Sequence, residues 1–441
     1  MNSPYSHYKE ILLENPNRYK EDYERIFKEL EDSPAYYGGK VIPFLYRPLF
    51  FKEKELETFE EISSKLKVIL KKVVHQYLED KEFRSYFGFS KELEELILVD
   101  PGYSGDFPMA RFDIFYYGED DIKFCELNAD GSSGMVKTNT LEENFLEAEA
   151  VKVLTKSYNV DYKELIDTWV DTLLRKYNEF NSKGDRPNIG IMDFSGYGMV
   201  KEFEHFKKVI EERGYRAKIV DPRNLEYKEG ALFSGDFRVD LIYRRAVTMD
   251  LMEHYDEIGD LLKAYQEGKV CLVGPIRSQI IHNKVLFSIL HDEDRISFLN
   301  KEEKEFIKKT IPYTRVLDPN NKELLTYAKD NREGLVLKPL DLYGAEGVTI
   351  GKDTSNKVWR ERIDALEDKT HLIQEFCLVP QLEMPVFEGE KIEFKPYKYT
   401  LGLFLYDEQI KGIYTRASKE NVIASVTGCV TLANFVCKEK R

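Results

Sequence analysis

Three oxygen-bearing side chains, Asp113, Glu126 and Asn128, fall within the stretch 111–130, RFDIFYYGEDDIKFCELNAD. Two apolar-rich runs, 112–117 and 122–125, flank Gly118-Glu119-Asp120-Asp121, the pattern of a β-hairpin with a short polar connection. Alternation along a strand puts Glu126 and Asn128 on one face, and Asp113 on the partner strand is placed to face them. Two carboxylates and an amide oxygen make a hard, oxygen-only pocket suited to Mg²⁺, which shares its shell with water and phosphate oxygens. Arg111 lies on the same face as Asp113, so a guanidinium fork stands beside the metal position. A phosphate-transferring site needs this arrangement, and a solvated edge hairpin with scattered charges would show the same residues. Alternation turns Cys125 to the opposite face, towards the core.

Further along, the run 333–340, EGLVLKPL, is an apolar strand carrying Lys338, followed by Gly344-Ala345-Glu346-Gly347 and a strand over 348–351. A lysine before a small glycine loop can grip nucleotide phosphates while the loop closes over them, and a strand lysine can also simply snorkel. Asn283-Lys284 opens a helix over 283–290. The strand 372–376, bounded by Pro380, carries Gln374 and Glu375, and in a nucleotide pocket it would meet the adenine edge with backbone groups. A long hairpin, 397–406 and 409–416, presents Arg416. Gly131-Ser132-Ser133-Gly134 either wraps an anion with backbone N–H groups or makes a tight turn. Arg244-Arg245 follow a strand at 239–243. They either clamp a carboxylate or phosphate or serve the structure, and alternation lets at most one face a cleft.

These residues need a large scaffold. The chain has 441 residues, of which 42% are hydrophobic, enough for a sizeable core and two or three lobes. A net charge of −14 argues against a nucleic-acid or acidic-membrane surface. The N-terminus has no signal-peptide pattern, and no apolar run is long enough to cross a bilayer. The five cysteines are dispersed without CxxC spacing and read as reduced thiols of a cytoplasmic protein. Residues 1–100 are helical in pattern, with Phe59, Ile62, Leu66, Ile69, Leu70, Val73, Val74 and Tyr77 marking an amphipathic helix over 55–80. Further helices are expected over 141–156 and 163–180. A strand at 188–192, a helix around 203–210 and a strand at 216–220 form a Rossmann-like β-α-β unit. It lacks the full GxGxxG, so it is not read as a dinucleotide site.

The ordered set RFD…CELNAD, HNK, LVLKPL–GAEG, IQEF..VP and YTRAS resembles the ATP-grasp domain of glutathionylspermidine synthases and related circularly permuted ATP-grasp ligases. The resemblance spans roughly 100–435, more weakly over 130–270. It implies an α/β fold of mixed α+β type, with the ATP-grasp core in permuted order, a helical N-terminal region (1–100) and a small Rossmann-like lobe (166–266). The metal-binding part would fall in 101–165 and the ATP-binding lobe and lid in 267–441. It implies magnesium on Asp113, Glu126 and Asn128, and contacts from Arg111 and Arg416 to the transferred phosphate. Lys284 and Lys338 would hold ATP phosphates under the loop Gly344, Ala345, Glu346 and Gly347, with an adenine hinge at Gln374 and Glu375. Ser132, Ser133, Arg244 and Arg245 are the candidate substrate contacts. Two features depart from the family: Gly131-Ser132-Ser133-Gly134 stands where a proline-containing continuation is common, and the fused amidase segment is not expected. The activity implied is ATP-dependent ligation of a small carboxylate to a small amine through an acyl phosphate. The alternatives are a phosphotransferase that stops at the phosphorylated product and a non-catalytic nucleotide-binding protein.

Overall fold

The computed structural model describes residues 3–340, 346–389 and 391–440. The expected hairpin is present as the strands Met109–Gly118 and Asp121–Asn128. It pairs with the long strand Lys391–Tyr406, which continues through Gln409–Ser418 to Val430–Leu432; Gln381–Glu388 pairs with the first half of Lys391–Tyr406. This sheet is antiparallel throughout. Alternation sorts its faces: Phe112, Ile114, Phe124 and Leu127 are buried in the main core, while Arg111, Asp113, Glu126 and Asn128 border a cleft on the other face. Register sets Asp113 opposite Glu126 and Arg111 opposite Asn128.

One residue breaks the alternation. Asp113 pairs with Glu126 but Ile114 pairs with Phe124, so Cys125 is an extra residue in a β-bulge. A bulge re-aims side chains, and Cys125 borders the cleft together with Glu126 instead of facing away from it.

A second antiparallel sheet has the order Thr314–Val316, His371–Glu375, Leu335–Pro339, Thr349–Ile350. Its other face packs Leu335, Leu337 and Ile373 with Trp359 and Ile363 of the helix Asn356–Asp364 and Ala328 of the helix Lys322–Asp330. A third sheet, parallel, has the order Cys271–Val273, Leu241–Arg244, Asn188–Met192, Arg216–Val220. It contains the expected β-α-β unit, with Val200–Glu212 as the crossover helix.

The N-terminal region is helical, and Glu53–Glu79 buries Phe59, Leu66, Ile69, Leu70, Val73, Val74 and Tyr77 as the periodicity predicts. Two expectations fail locally. The helix expected over 141–156 begins at Met135 and breaks into Met135–Leu146 and Glu149–Leu154, where Ala148 is extended and the Asp22 carboxylate accepts from the Glu149 N–H at 2.8 Å. The strand expected over 239–243 is two strands: Phe237–Val239 joins a small antiparallel sheet and Leu241–Arg244 joins the parallel one. Asp240 parts them, its carboxylate accepting from the Asn188 N–H at 3.0 Å. Among the described residues no helix is long and apolar enough to cross a membrane.

Candidate nucleotide and metal site

The cleft between the first two sheets gathers residues from across the chain. Arg111, Asp113, Glu126, Asn128, Lys284, Lys338 and Arg416 border it, together with the apolar Val336, Val348, Ile350, Phe376 and Val379. Apolar and cationic side chains thus line one cleft, the chemistry that a ligand with a flat base and a charged phosphate tail calls for.

Asp113 is the hub of the polar lining. Arg111 donates through Nε to Oδ1 at 2.8 Å and through Nη2 to Oδ2 at 3.2 Å. Arg416 donates through Nη2 to Oδ2 at 2.5 Å. Asn128 Nδ2 lies 3.1 Å from Asp113 Oδ2 and 3.4 Å from Glu126 Oε2, so it bridges the two carboxylates. Lys284 Nζ is 3.7 Å from Glu126 Oε1. Burial opposes ionisation of Glu126, but Lys284 and Lys338 outweigh it and hold the carboxyl at about 2. Burial pulls Lys338 below its ordinary range, against the opposing pull of Glu126. Burial also pulls Arg416 down, but Asp113 beside it wins and the guanidinium is pushed up.

The three oxygen-bearing side chains fit a hard divalent cation. The two carboxylates both lie within hydrogen-bond reach of the Asn128 amide, and a half-turn of Asn128 exchanges Nδ2 for Oδ1.

Gly402 sits opposite Asp113 in the register. A Cβ there would lie 2.7 Å from Arg111 Cδ and 2.9 Å from Asp113 Oδ1, so this glycine makes the space the hub occupies. Lys338 donates to Gln374 Oε1 at 2.6 Å, and Gln374 Nε2 donates to Thr314 Oγ1 at 3.1 Å.

The family model for the glutathionylspermidine synthase preATP-grasp domain matches residues 43–431. The chain belongs to this family. The match therefore covers the central hairpin, the sheet with Lys338 and the strand with Arg416. A search of curated proteins gives no match. Among solved structures, a glutathione synthetase-like effector from Globodera pallida, in its apo form, has a similar fold. It is 11% identical, the match covers 94% of this chain and 96% of that chain, and the TM-score is 0.63. D-alanyl-alanine synthetase A from Vibrio cholerae matches at 9% identity over 56% of this chain and 87% of that chain, with a TM-score of 0.31. The fold is ATP-grasp in permuted order: the hairpin with Asp113 and Glu126 precedes the strand with Lys338.

Other candidate residues are placed differently. Arg244 and Arg245 do not face the cleft. Arg244 is fully buried and ion-paired with Asp130, and it also donates to the Ala246 carbonyl at 2.8 Å. Arg245 pairs with Glu202 at 3.1 Å and donates to the Ser132 carbonyl. Both stitch the parallel sheet to the end of the hairpin. Ser132 Oγ donates to the Asn128 carbonyl at 2.6 Å, and the Ser133 carbonyl accepts from Arg111 Nη1 at 2.9 Å. The loop thus holds the hub from behind, and its serine hydroxyls do not line the cleft.

Gln374 and Glu375 lie on a strand laddered on both sides. The Gln374 side chain reaches the site through Lys338, and Phe376, Cys377 and Val379 continue the border beyond the strand. Glu346 borders the cleft, and Gly347 turns the chain at a φ of 70° into Thr349–Ile350. Gly344 and Ala345 lie outside the described residues. Sequence reasoning missed Gly402 and Tyr414, whose ring lies 5.5 Å from both the Arg111 and the Arg416 guanidinium. For Tyr414 the signal existed: it is two residues before Arg416 on the same strand and hence on the same face.

Proposed function

We propose that the protein is an ATP-dependent carboxylate–amine ligase that works with Mg²⁺ through an acyl phosphate. The observation that carries this reading is the convergence of Lys284, Lys338, Arg111, Arg416 and the Asp113–Glu126–Asn128 set on one cleft that apolar side chains also line. Family membership supports it.

A carboxylate is a poor acyl donor at neutral pH. Its oxygen attacks the γ-phosphorus of ATP, the bond to the β–γ bridging oxygen breaks, and ADP leaves. The acyl phosphate is then attacked by an amine at its carbonyl carbon, and inorganic phosphate leaves as the amine loses a proton. Mg²⁺ held by Asp113, Glu126 and Asn128 would neutralise phosphate charge. Lys338 and Lys284 hold the phosphates in the ground state. Gln374 fixes the Lys338 ammonium so that it costs little to order on binding. Arg111 and Arg416, already oriented by Asp113, stabilise charge on the phosphoryl group as it moves. The nearby thiols Cys125 and Cys377 have no role in this chemistry; burial pushes the Cys377 thiol up to about 11.

A panel of carboxylates crossed with amines, read as ADP release and product mass, tests the reading. ADP release that requires both partners supports it. Release with the carboxylate alone would make the protein a phosphotransferase, and nucleotide binding with no release for any pair would make it a non-catalytic binder.

A further inference from the structure

The strands Gln409–Ser418 and Val430–Leu432 pair with Arg416 opposite Thr431 and Ala417 opposite Val430. Both ends of the connection between them, residues 419–429, are therefore rooted beside Arg416. Within it Asn421, Val422, Ile423 and Ala424 border the cleft, together with Val348 and Ile350 at the edge of the second sheet. Asn421 reaches that edge: its Nδ2 donates to Asp353 Oδ2 at 2.7 Å. Asp353 stands in the single turn Gly351–Asp353, which follows the edge strand Thr349–Ile350. The segment thus rises from one sheet, crosses the cleft and is tied to the other.

The segment holds its own shape better than it is held. The Ala424 carbonyl accepts from the Thr427 N–H at 3.1 Å, from Thr427 Oγ1 at 2.9 Å and from the Cys429 N–H at 3.4 Å. These bonds are local, so the turn keeps its form when the whole segment moves. Ala424 is buried, but Val426 at the outer turn is 63% exposed. Gly428 turns the chain at a φ of 79°, and a Cβ there would meet nothing within 4 Å. Little buried apolar surface and an exposed tie mark a segment that opens at low cost. An exposed hydrogen bond to a carboxylate is weak enough to break and re-form as ligands pass.

We propose that residues 419–429 form a strap that lifts to admit nucleotide and closes over it, with the Asn421–Asp353 hydrogen bond as its latch. This rests on the nucleotide reading of the cleft given above, and it holds whether or not an amine takes up the phosphorylated carboxylate. Because the strap is rooted beside Arg416, its closure shields the cleft from water where the phosphoryl group is stabilised.

Two measurements on Asn421→Ala, Asp353→Ala and the double variant test the latch. The first is native-state cleavage by trypsin after Lys419, mapped by fragment mass, which tracks the population of the unlatched strap. The second is the rate at which the fluorescent analogue mant-ATP, bound with Mg²⁺, leaves when chased with ATP. Each single variant should raise both rates about two- to tenfold. The double variant should go no further than the faster single one, because each substitution removes the same bond. ATP with Mg²⁺ should slow cleavage of the wild type. Cleavage unchanged in both single variants, or effects that add in the double variant, would remove the latch. Faster cleavage with mant-ATP release unchanged would show a strap that opens without gating the cleft. Either result overturns the proposal and leaves the nucleotide reading standing, whereas a wild type that binds no mant-ATP overturns both.

Discussion

The Asp113 carboxylate and the Arg416 guanidinium, 303 residues apart in the chain, meet at 2.5 Å. Arg111 grips the same carboxylate from the other side. The two arginines assigned to the moving phosphoryl group are thus held by one of the residues assigned to the metal. Phosphate binding then has only to draw on cations already in place.

Lys338 and Arg416 should fail differently. Lys338→Ala removes a cation that meets ATP in the ground state, so the KM for ATP should rise. Arg416→Ala removes a contact that strengthens as charge moves, so kcat should fall more than the KM for ATP rises. One such contact in a water-excluded site is worth about 2–4 kcal/mol, roughly 30- to 1,000-fold in rate. Steady-state kinetics on both variants decide it, with melting curves as the folding control. An Arg416→Ala enzyme as fast as the wild type would remove the role.

Glu126→Gln keeps the shape of the hairpin and removes one charge, so Mg²⁺-dependent turnover should collapse with the melting temperature nearly unchanged. Because its carboxyl is held at about 2, Glu126 stays ionised at any working pH. The wild-type pH–rate profile above pH 5 should show no step from this carboxyl. Activity near the wild-type level would end the metal assignment.

Gly402→Ala tests the space around the hub. The added methyl collides with Arg111 and Asp113, both of which can shift, so the fold should survive with turnover reduced about tenfold or more. Full activity would mean that Arg111 need not keep this position.

Glu142, buried among Asn139 and Asn434, gives a pH signature. Burial raises its carboxyl to about 8 against the pull of those amides. Between the ordinary carboxylate range and about pH 8 the folded state keeps a proton that the unfolded chain has released. Stability therefore falls as pH rises through that window and levels off above it. Glu142→Gln has no such proton, so its melting temperature relative to the wild type should improve from pH 5 to pH 8. A difference that does not change with pH would show that Glu142 titrates normally.

Much of the site was legible because strands obey a period of two. Asp113, Glu126 and Asn128 could be set on one face before any pairing was known, and Lys338 and Arg416 could each be placed on a strand. What alternation could not reveal was which strand lies beside which. Gly402 matters only because register sets it against Asp113, and Arg244 and Arg245 read equally as a clamp or as structure until Asp130 and Glu202 were placed against them. Cys125 was misplaced because a bulge is a departure from the period on which the reading depended. Lys137 carries no motif, and its place beside the Tyr414 ring depends on a helix meeting a distant strand, which no local spacing encodes.

The strand order also governs how the chain is made. Met109–Gly118 is an interior strand whose second neighbour is Lys391–Tyr406, with Asp113 opposite Gly402. At about 5–20 residues per second, a ribosome needs roughly 15–60 s to deliver that neighbour. Throughout that interval the hairpin waits with a bare edge, a template for pairing with other nascent chains, while the helix Glu53–Glu79 that shares its core is already made. Cells making this protein therefore face their aggregation hazard during synthesis, and a chain cut at residue 380 should be insoluble or rapidly proteolysed where the full chain is not.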